Sequence, residues 1–390
     1  MPAYHLTMKK KSVDTNGLRT WIEIDTKALK HNFNIFRNQI GPNVKLMAIA
    51  KSNAYGHGLV PYAKTMERFG TDWLGVDSIK EALRLREEGV KCPILVLGYT
   101  LPENILLGAR YNIDMTISTK EGLSCCAKLN PREKQKLRVH LKIDTGMGRQ
   151  GFFAEDMIAI ARFLKKNFSK NNIAGVYTHF ASAKNPSFQK ETLEQIEHFK
   201  KAVSILHKAG FSPLRHAAAT SGALLFSAAH FDMVRIGIGL FGLWPAKEVQ
   251  SMYEKTVTLK PALSWKTIVS EVKTFPHGSG IGYDLTEKLP AGSRIAICPI
   301  GYWHGYPRAL SSIGRVLVRG KIAKIVGRIS MDMVAIDISK VANVRVGDEV
   351  VLIGSGRSAE ITADQLAFLA DTTNYEIITR INPLIKRVYL

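Results

Sequence analysis

The chain has 390 residues, 46% of them hydrophobic and 22% charged, and its 54 lysines and arginines against 33 acidic residues give a formal charge of +21. That composition supports one large core and a smaller second one, and no apolar run approaches the roughly eighteen residues of a spanning helix, so membrane insertion is not expected. The basic residues are scattered over many predicted helices rather than gathered with aromatics, which reads as a solvated surface and not as a nucleic-acid footprint.

From the N-terminus, Lys9, Lys10 and Lys11 precede no apolar segment, so secretion is not indicated. A helix is predicted over 27–39, capped by Asp25 or Thr26. Short apolar or β-branched runs then recur at 46–50, 73–76, 93–97, 115–117, 137–143, 173–177, 216–218 and 233–236, with helical periodicity between them, as at 80–88, 157–166 and 192–208. Eight strand-and-helix units predict a TIM-type (β/α)8 barrel, and the helix over 27–39, which precedes the first strand, is expected to cover its bottom. After Trp244-Pro245 the texture changes to Gly- and Pro-separated strand runs at 264–272, 294–300, 315–318, 322–326, 334–338 and 350–353, interrupted by one helix at 362–370. The expected division is therefore a barrel domain over 1–255 and a C-terminal, mostly β domain over 256–390.

Cys92, Cys125, Cys126 and Cys298 show no metal-ligand spacing, and adjacent cysteines are poorly placed to bridge to each other, so no metal is expected and a reducing, cytoplasmic compartment is. Gly-rich stretches at 278–282 and 354–356 lack the strand and helix context of a dinucleotide fingerprint. The Asn167-Phe168-Ser169 sequon carries no weight without a route to secretion.

Barrel enzymes draw their chemistry from the loops after their strands. The first such loop lies in Ala48-Ile49-Ala50-Lys51-Ser52-Asn53-Ala54-Tyr55-Gly56-His57-Gly58, where an apolar run stops at a lysine and a glycine-punctuated turn begins. A desolvated lysine there favours the neutral amine and can form a Schiff base, with Tyr55 able to reach the same pocket; a lysine at a strand end can equally point into solvent. Arg149 follows the fifth strand in Lys142-Ile143-Asp144-Thr145-Gly146-Met147-Gly148-Arg149, His179 the sixth and Ser221 the seventh, and Arg235, Gly237 and Ile238 come with the eighth. Backbone amides and a hydroxyl after strands seven and eight suit a phosphate. Taken singly, Arg149 reads as an ion-pair partner, His179 as a core histidine, Ser221 as a helix cap and Gly237 as a turn residue.

Together these segments resemble alanine racemases. The resemblance continues in Ser279-Gly280-Ile281-Gly282-Tyr283, Gly301-Tyr302, Ser330-Met331-Asp332-Met333 and Thr373-Asn374-Tyr375-Glu376, and it runs from Thr20 to Tyr389. It implies pyridoxal 5′-phosphate carried on Lys51, and a homodimer in which Lys51 and the partner subunit's Tyr283 act as two bases on opposite faces of a substrate such as alanine. It casts Tyr55, His179, Ser221, Arg235, Gly237, Ile238 and Tyr375 as cofactor-binding residues, with Arg235 on the pyridine nitrogen. It casts Arg149, on the substrate carboxylate or the cofactor's phenolic oxygen, with Tyr302, Met331 and Asp332, as substrate-binding, and Lys142 matches a lysine carbamylated in some relatives. A guanidinium rarely surrenders its proton, so the resemblance implies that Arg235 leaves the ring a weaker electron sink and suppresses side reactions. Three positions depart from the family pattern: Phe241, where tyrosine is common, His304, where an acidic residue is usual, and Thr220, where asparagine precedes the serine. Other readings of the same architecture are a racemase of another small amino acid such as serine, a decarboxylase, or a non-catalytic cofactor carrier with a basic nucleic-acid-binding surface.

Overall fold

The computed structural model describes residues 17–390, so the run Lys9 to Lys11 lies outside it. Two compact units are formed, Thr26–Ala262 and Leu263–Leu390, the latter joined by the segment before Thr26. The expected division at 255/256 differs from this at both ends. Thr20–Ile24 is a strand that pairs antiparallel with Leu263–Ile268, so the residues just before the first helix complete the second unit. Lys266 Nζ pins the pairing, reaching Glu23 at 2.9 Å and Glu349 at 3.2 Å on the two flanking strands.

Thr26–Ala262 contains a closed barrel of parallel strands: Lys45–Ile49, Trp73–Val76, Ile94–Val96, Asp114–Ile117, Val139–Asp144, Ile173–Tyr177, Leu214–His216 and Met233–Ile236. The eighth pairs back onto the first with Arg235 opposite Met47. Each predicted barrel strand is present: those at 73–76, 173–177 and 233–236 keep their predicted ends, and the others are shifted by a residue or two. Most are buried on both faces, which is why they read as continuous apolar runs rather than alternating ones. Met47, Ile49, Trp73, Leu95 and Met233 form an apolar cluster. Strands four, five, seven and eight bury Asp114, His140, Lys142, His216 and Arg235 instead.

The outer helices begin where short polar residues can satisfy the first amides. Ser78 and Glu81 form a capping box on Ile79–Glu87, and Thr119 Oγ1 accepts from Gly122 N at 3.0 Å. Helix Thr26–Ile40 does not cover the barrel bottom as expected. Its C-terminal end leads into the start of strand one, so it runs down the barrel's flank, packed on the turn after strand eight, where Asn32 Nδ2 donates to Leu240 O at 3.2 Å.

The second unit is built on a mixed sheet ordered Glu271–Thr274, Arg294–Cys298, Val334–Asp337, Lys321–Val326, Arg315–Val318, Glu349–Ser355, Leu263–Ile268, Thr20–Ile24 and Arg387–Tyr389. All its pairs are antiparallel except the last. The run predicted over 264–272 is two strands, because Leu263–Ile268 pairs with Glu349–Ser355 whereas Glu271–Thr274 pairs with Arg294–Cys298. A hairpin of Ser279–Ile281 and Glu287–Leu289 is anchored by Ile281 and Leu289 packing with Ile295 and Val326. The late helix spans Ala363–Leu369, and a second, unpredicted one follows at Asn374–Thr379. Among the described residues no helix is long and apolar enough to cross a membrane.

Candidate active site

Lys51 stands directly after strand one, and the chain then makes a left-handed helical turn. Ser52, Asn53, Ala54 and Tyr55 have φ between 51° and 56°, a conformation costing roughly 1–2 kcal/mol for each L-residue. The surroundings hold it in place. Ala54 N donates to Ala50 O at 2.8 Å and Gly58 N to Asn53 O at 2.9 Å. Asn53 Oδ1 accepts from Leu59 N at 2.9 Å, and Glu81 Oε1 accepts from Asn53 N at 3.3 Å. Lys51 itself is half-buried rather than buried.

In the loop after strand five, Asp144 Oδ1 accepts from the amides of Gly146, Met147 and Gly148, and Oδ2 from Arg149 N at 2.8 Å. Burial works against ionisation, but these four bonds hold the Asp144 carboxyl below its ordinary range. Its role is to shape the loop that presents Arg149. Lys142 is buried on the same strand and donates to Gln150 Oε1 at 2.9 Å, while Gln150 Nε2 donates to Ser118 Oγ at 3.1 Å. Burial, then repulsion from Arg149 and Arg235, pushes the Lys142 amine down to about 8, with Asp144 opposing and Lys51 adding to the fall.

Arg235 is 4% exposed, on strand eight. Its Nη2 donates to Thr178 O and Ala217 O, both at 2.8 Å, sharing one of these two N–H groups with His179 Nδ1 at 3.3 Å, and its Nη1 donates to His216 Nδ1 at 3.1 Å. Burial lowers the guanidinium to about 10, so it remains a cation near neutrality. His179 is pushed down to about 3, first by burial and then by Arg235, Arg149, Lys142 and Lys51. Being neutral and accepting at Nδ1, it carries its proton on Nε2. Tyr177, unmarked in the sequence, stacks on His216 with centroids 4.7 Å apart, takes Arg235 over its ring at 5.1 Å, and pairs its hydroxyl with Thr116 Oγ1 at 3.0 Å. Asp114, His140 and His216 were equally unmarked. The signal that could have found them is a polar residue at an inward position of a strand otherwise read as apolar.

Ser221 is buried in the first turn of Thr220–Leu225, after strand seven. Gly237 and Ile238 start the turn Ile238–Phe241, which Thr220 Oγ1 ties back by accepting from Gly239 N at 3.4 Å. That is the work of the threonine that departs from the family pattern. A Cβ on Gly237 would come within 2.8 Å of the Tyr55 hydroxyl, so glycine is what admits that side chain. Burial pushes Tyr55 up to about 12. Phe241, the second departure, is fully buried, stacked on His57 at 4.2 Å and packed on Tyr55 and Tyr62 at 5.2 and 4.7 Å. The barrel thus gathers Lys51, Lys142, Arg149 and Arg235 around a neutral histidine, with the Asp144 carboxylate committed to its own loop. This donor set fits a ligand bearing several anionic oxygens, as a phosphorylated pyridoxal and an amino-acid carboxylate do together.

Tyr283, Tyr302, Met331, Asp332 and Tyr375 belong to the second unit. Tyr283 is 69% exposed in the turn of the anchored hairpin, where Asp284 and Leu285 also take positive φ. Tyr302 and Met331 are 43% and 54% exposed. Their segments are joined by Tyr302 N donating to Ser330 O at 3.1 Å and Trp303 N to Met331 O at 3.0 Å. Tyr375 lies on Asn374–Thr379, its carbonyl accepting from Thr379 Oγ1 at 2.7 Å. His304, the third departure, accepts from Gly301 N at 3.2 Å and lies 3.9 Å from Asp332 Oδ1. Its burial lowers its pKa, Asp332 opposes this and Arg19 adds to it.

Comparison with known proteins places these residues in context. Residues 24–245 match the family described as alanine racemase, N-terminal domain, and residues 262–389 its C-terminal domain. An alanine racemase of Halothermothrix orenii is 41% identical over 373 residues, covering 95% of this chain and 96% of the relative. Among solved structures, a Bacillus anthracis alanine racemase with bound L-Ala-P superposes with a TM-score of 0.88 at 34% identity, covering 95% of both chains. A histidine racemase of Leuconostoc mesenteroides gives 0.83 at 31% identity, covering 95% of this chain and 98% of that one.

Proposed function

The chain belongs to the alanine racemase family, and we propose that it interconverts L- and D-alanine with pyridoxal 5′-phosphate, supplying D-alanine for peptidoglycan in the cytoplasm. The observation that carries this reading is the set of cations on the loops and ends of strands one, five and eight, with His179 held neutral among them. When bound, the cofactor withdraws electrons from the substrate and so lowers the barrier to removing its Cα proton.

Lys51 anchors the cofactor through its amine and serves as the base on one face, and Tyr283 serves on the other. Tyr55, Ser221, Gly237, Ile238 and Tyr375 hold the phosphate, and Arg149 orients the substrate carboxylate as a planar donor. Arg235, a cation near neutrality, offers the ring nitrogen hydrogen bonds without giving up a proton. His179 donates from Nε2 toward the phenolate form of Tyr283 and makes that form accessible. Tyr283, Tyr302, Met331 and Asp332 come from the partner subunit of a homodimer. The exposure of all four on the second unit supports that role. Lys142 is carbamylated: an amine lowered to about 8 has enough neutral form to react with CO2, and the carbamate brings a negative charge to the cations crowding it. Carbon-13 bicarbonate should then give a carbamate signal that Lys142→Met lacks.

The deciding experiment is proton NMR of L- and D-alanine in D2O with the protein and added cofactor. Cα deuteration together with loss of optical rotation from either enantiomer is expected. Loss of the carboxylate would make the chain a decarboxylase, and bound cofactor without exchange would revive the carrier reading. The histidine racemase similarity favours one alternative specificity, so histidine and serine belong in the same assay.

A further inference from the structure

Behind Arg235 a hydrogen-bonded chain crosses the barrel interior to its opposite end. Arg235 Nη1 meets His216 Nδ1 at 3.1 Å, His216 Nε2 meets His140 Nδ1 at 2.9 Å, and His140 Nε2 meets Asp114 Oδ2 at 3.1 Å. Arg138 Nε, on a half-exposed side chain just before strand five, donates to Asp114 Oδ1 at 3.1 Å. Both imidazoles are fully buried. The Tyr177 ring lies parallel to His216, and the edge of Trp73 meets His140 at 5.4 Å. A Cβ on Gly175 would overlap the His140 ring, so a glycine on strand six makes its room.

Proton positions along this chain follow from elimination. A guanidinium has donors and no acceptor, so His216 Nδ1 must be a lone pair and its proton must sit on Nε2. That proton needs an acceptor, which makes His140 Nδ1 a lone pair and sends its proton to Nε2, facing Asp114. A doubly protonated His140 would oppose two N–H groups across 2.9 Å and is excluded. Every bond therefore points from Arg235 toward Asp114, so the guanidinium at one end and the carboxylate acceptor at the other hold both tautomers together.

We propose that Asp114, acting through His140 and His216, is a positioning residue for Arg235. With an acceptor at the far end, the guanidinium is anchored by His216, His179, Thr178 O and Ala217 O. Its Nε–H and second Nη1–H are left as donors for the ring nitrogen. Without the carboxylate, His140 is free to take the Nδ1–H tautomer, His216 must follow, and an N–H then faces Arg235. Arg138 Nε lies 3.1 Å from Oδ1 and 3.3 Å from Oδ2, the oxygen that His140 also meets, so an asparagine at 114 sets a donor NH2 against either Arg138 or His140 and removes the charge that terminates the chain. This rests on Arg235 serving the cofactor's ring nitrogen.

The test is 15N NMR of the histidine rings in full-length protein, together with alanine kinetics and the absorbance of bound pyridoxal phosphate. Wild-type protein should show Nε2–H on both His140 and His216. Asp114→Asn should move at least one ring to Nδ1–H, shift the cofactor absorbance, and lower kcat about ten-fold with KM held within about two-fold, as expected for loss of a tautomer-fixing carboxylate. His140→Leu should lose a similar factor, whereas His140→Gln, which can accept at one end and donate at the other, should keep most of the rate. Nδ1–H on either wild-type ring overturns the proposal, and so does unchanged kcat in Asp114→Asn or equal rates in the His140 pair. Should Asp114→Asn not fold, the wild-type tautomers and the His140 pair decide. A wild-type protein that neither binds pyridoxal phosphate nor racemises would sink the cofactor reading, while the tautomers would still report on the chain itself.

Discussion

Arg235 is 4% exposed and its guanidinium is held by four acceptors of its own unit, whereas Tyr283 is 69% exposed at the tip of a hairpin. The barrel interior fixes its groups by burial and by complete hydrogen bonding, so position and stability are the same property there. The second unit fixes the hairpin's backbone and presents the phenol outward, as the proposed role in a partner subunit requires. Substitutions in the first region should therefore move stability and chemistry together, and those in the second should move chemistry alone.

The sharpest break is expected at Lys51. Lys51→Ala should lose at least about a thousand-fold in racemisation together with the absorbance of covalently held cofactor, because the proposed anchor and base are removed at once. Tyr283→Phe should follow at about a hundred- to a thousand-fold in kcat, with the urea midpoint unchanged since the hydroxyl sits on an exposed residue. A shifted midpoint would erase the contrast between the two regions. Arg235→Met should lower unfolding stability by about 2–3 kcal/mol as well as activity, because Thr178 O and Ala217 O are left buried without donors. Equilibrium urea unfolding measures it.

The smallest effect sharpens the comparison through pH. In the folded barrel Lys142 is held down to about 8, below the value of about 10.4 for an unfolded lysine. Between those values the unfolded chain binds more protons, so this group makes stability rise with pH, and below about 8 the folded state carries the penalised charge. In CO2-free buffer Lys142→Met should be more stable than wild type at pH 7 by about 1–3 kcal/mol, a gain that shrinks by pH 9.5. An equal difference at both values would refute it.

Much of the site was legible because the strand-and-helix repeat converts order along the chain into convergence in space. A residue just after an apolar run must lie at one end of the barrel, and Lys51, Arg149, His179, Ser221 and Gly237 do. The features that escaped had no local signature. The left-handed turn at 52–55 uses ordinary L-residues that prefer other conformations, and is imposed by Glu81, Asn53 and the backbone around them. His140 and His216 looked like incidental polar residues in strands, since their partner relation spans 76 positions.

The pairing that joins Thr20–Ile24 to the second unit was equally invisible, because sheet pairing depends on which edge is free after folding and not on adjacency along the chain. By itself the sequence determined the barrel, the β unit and which residues the strands bring to one end of the barrel, since periodicity and strand-end position are local properties. The tertiary structure alone decided the direction of the hydrogen bonds behind Arg235, the depressed Lys142 amine and the neutral His179, because burial and through-space charge exist only once distant strands are brought together.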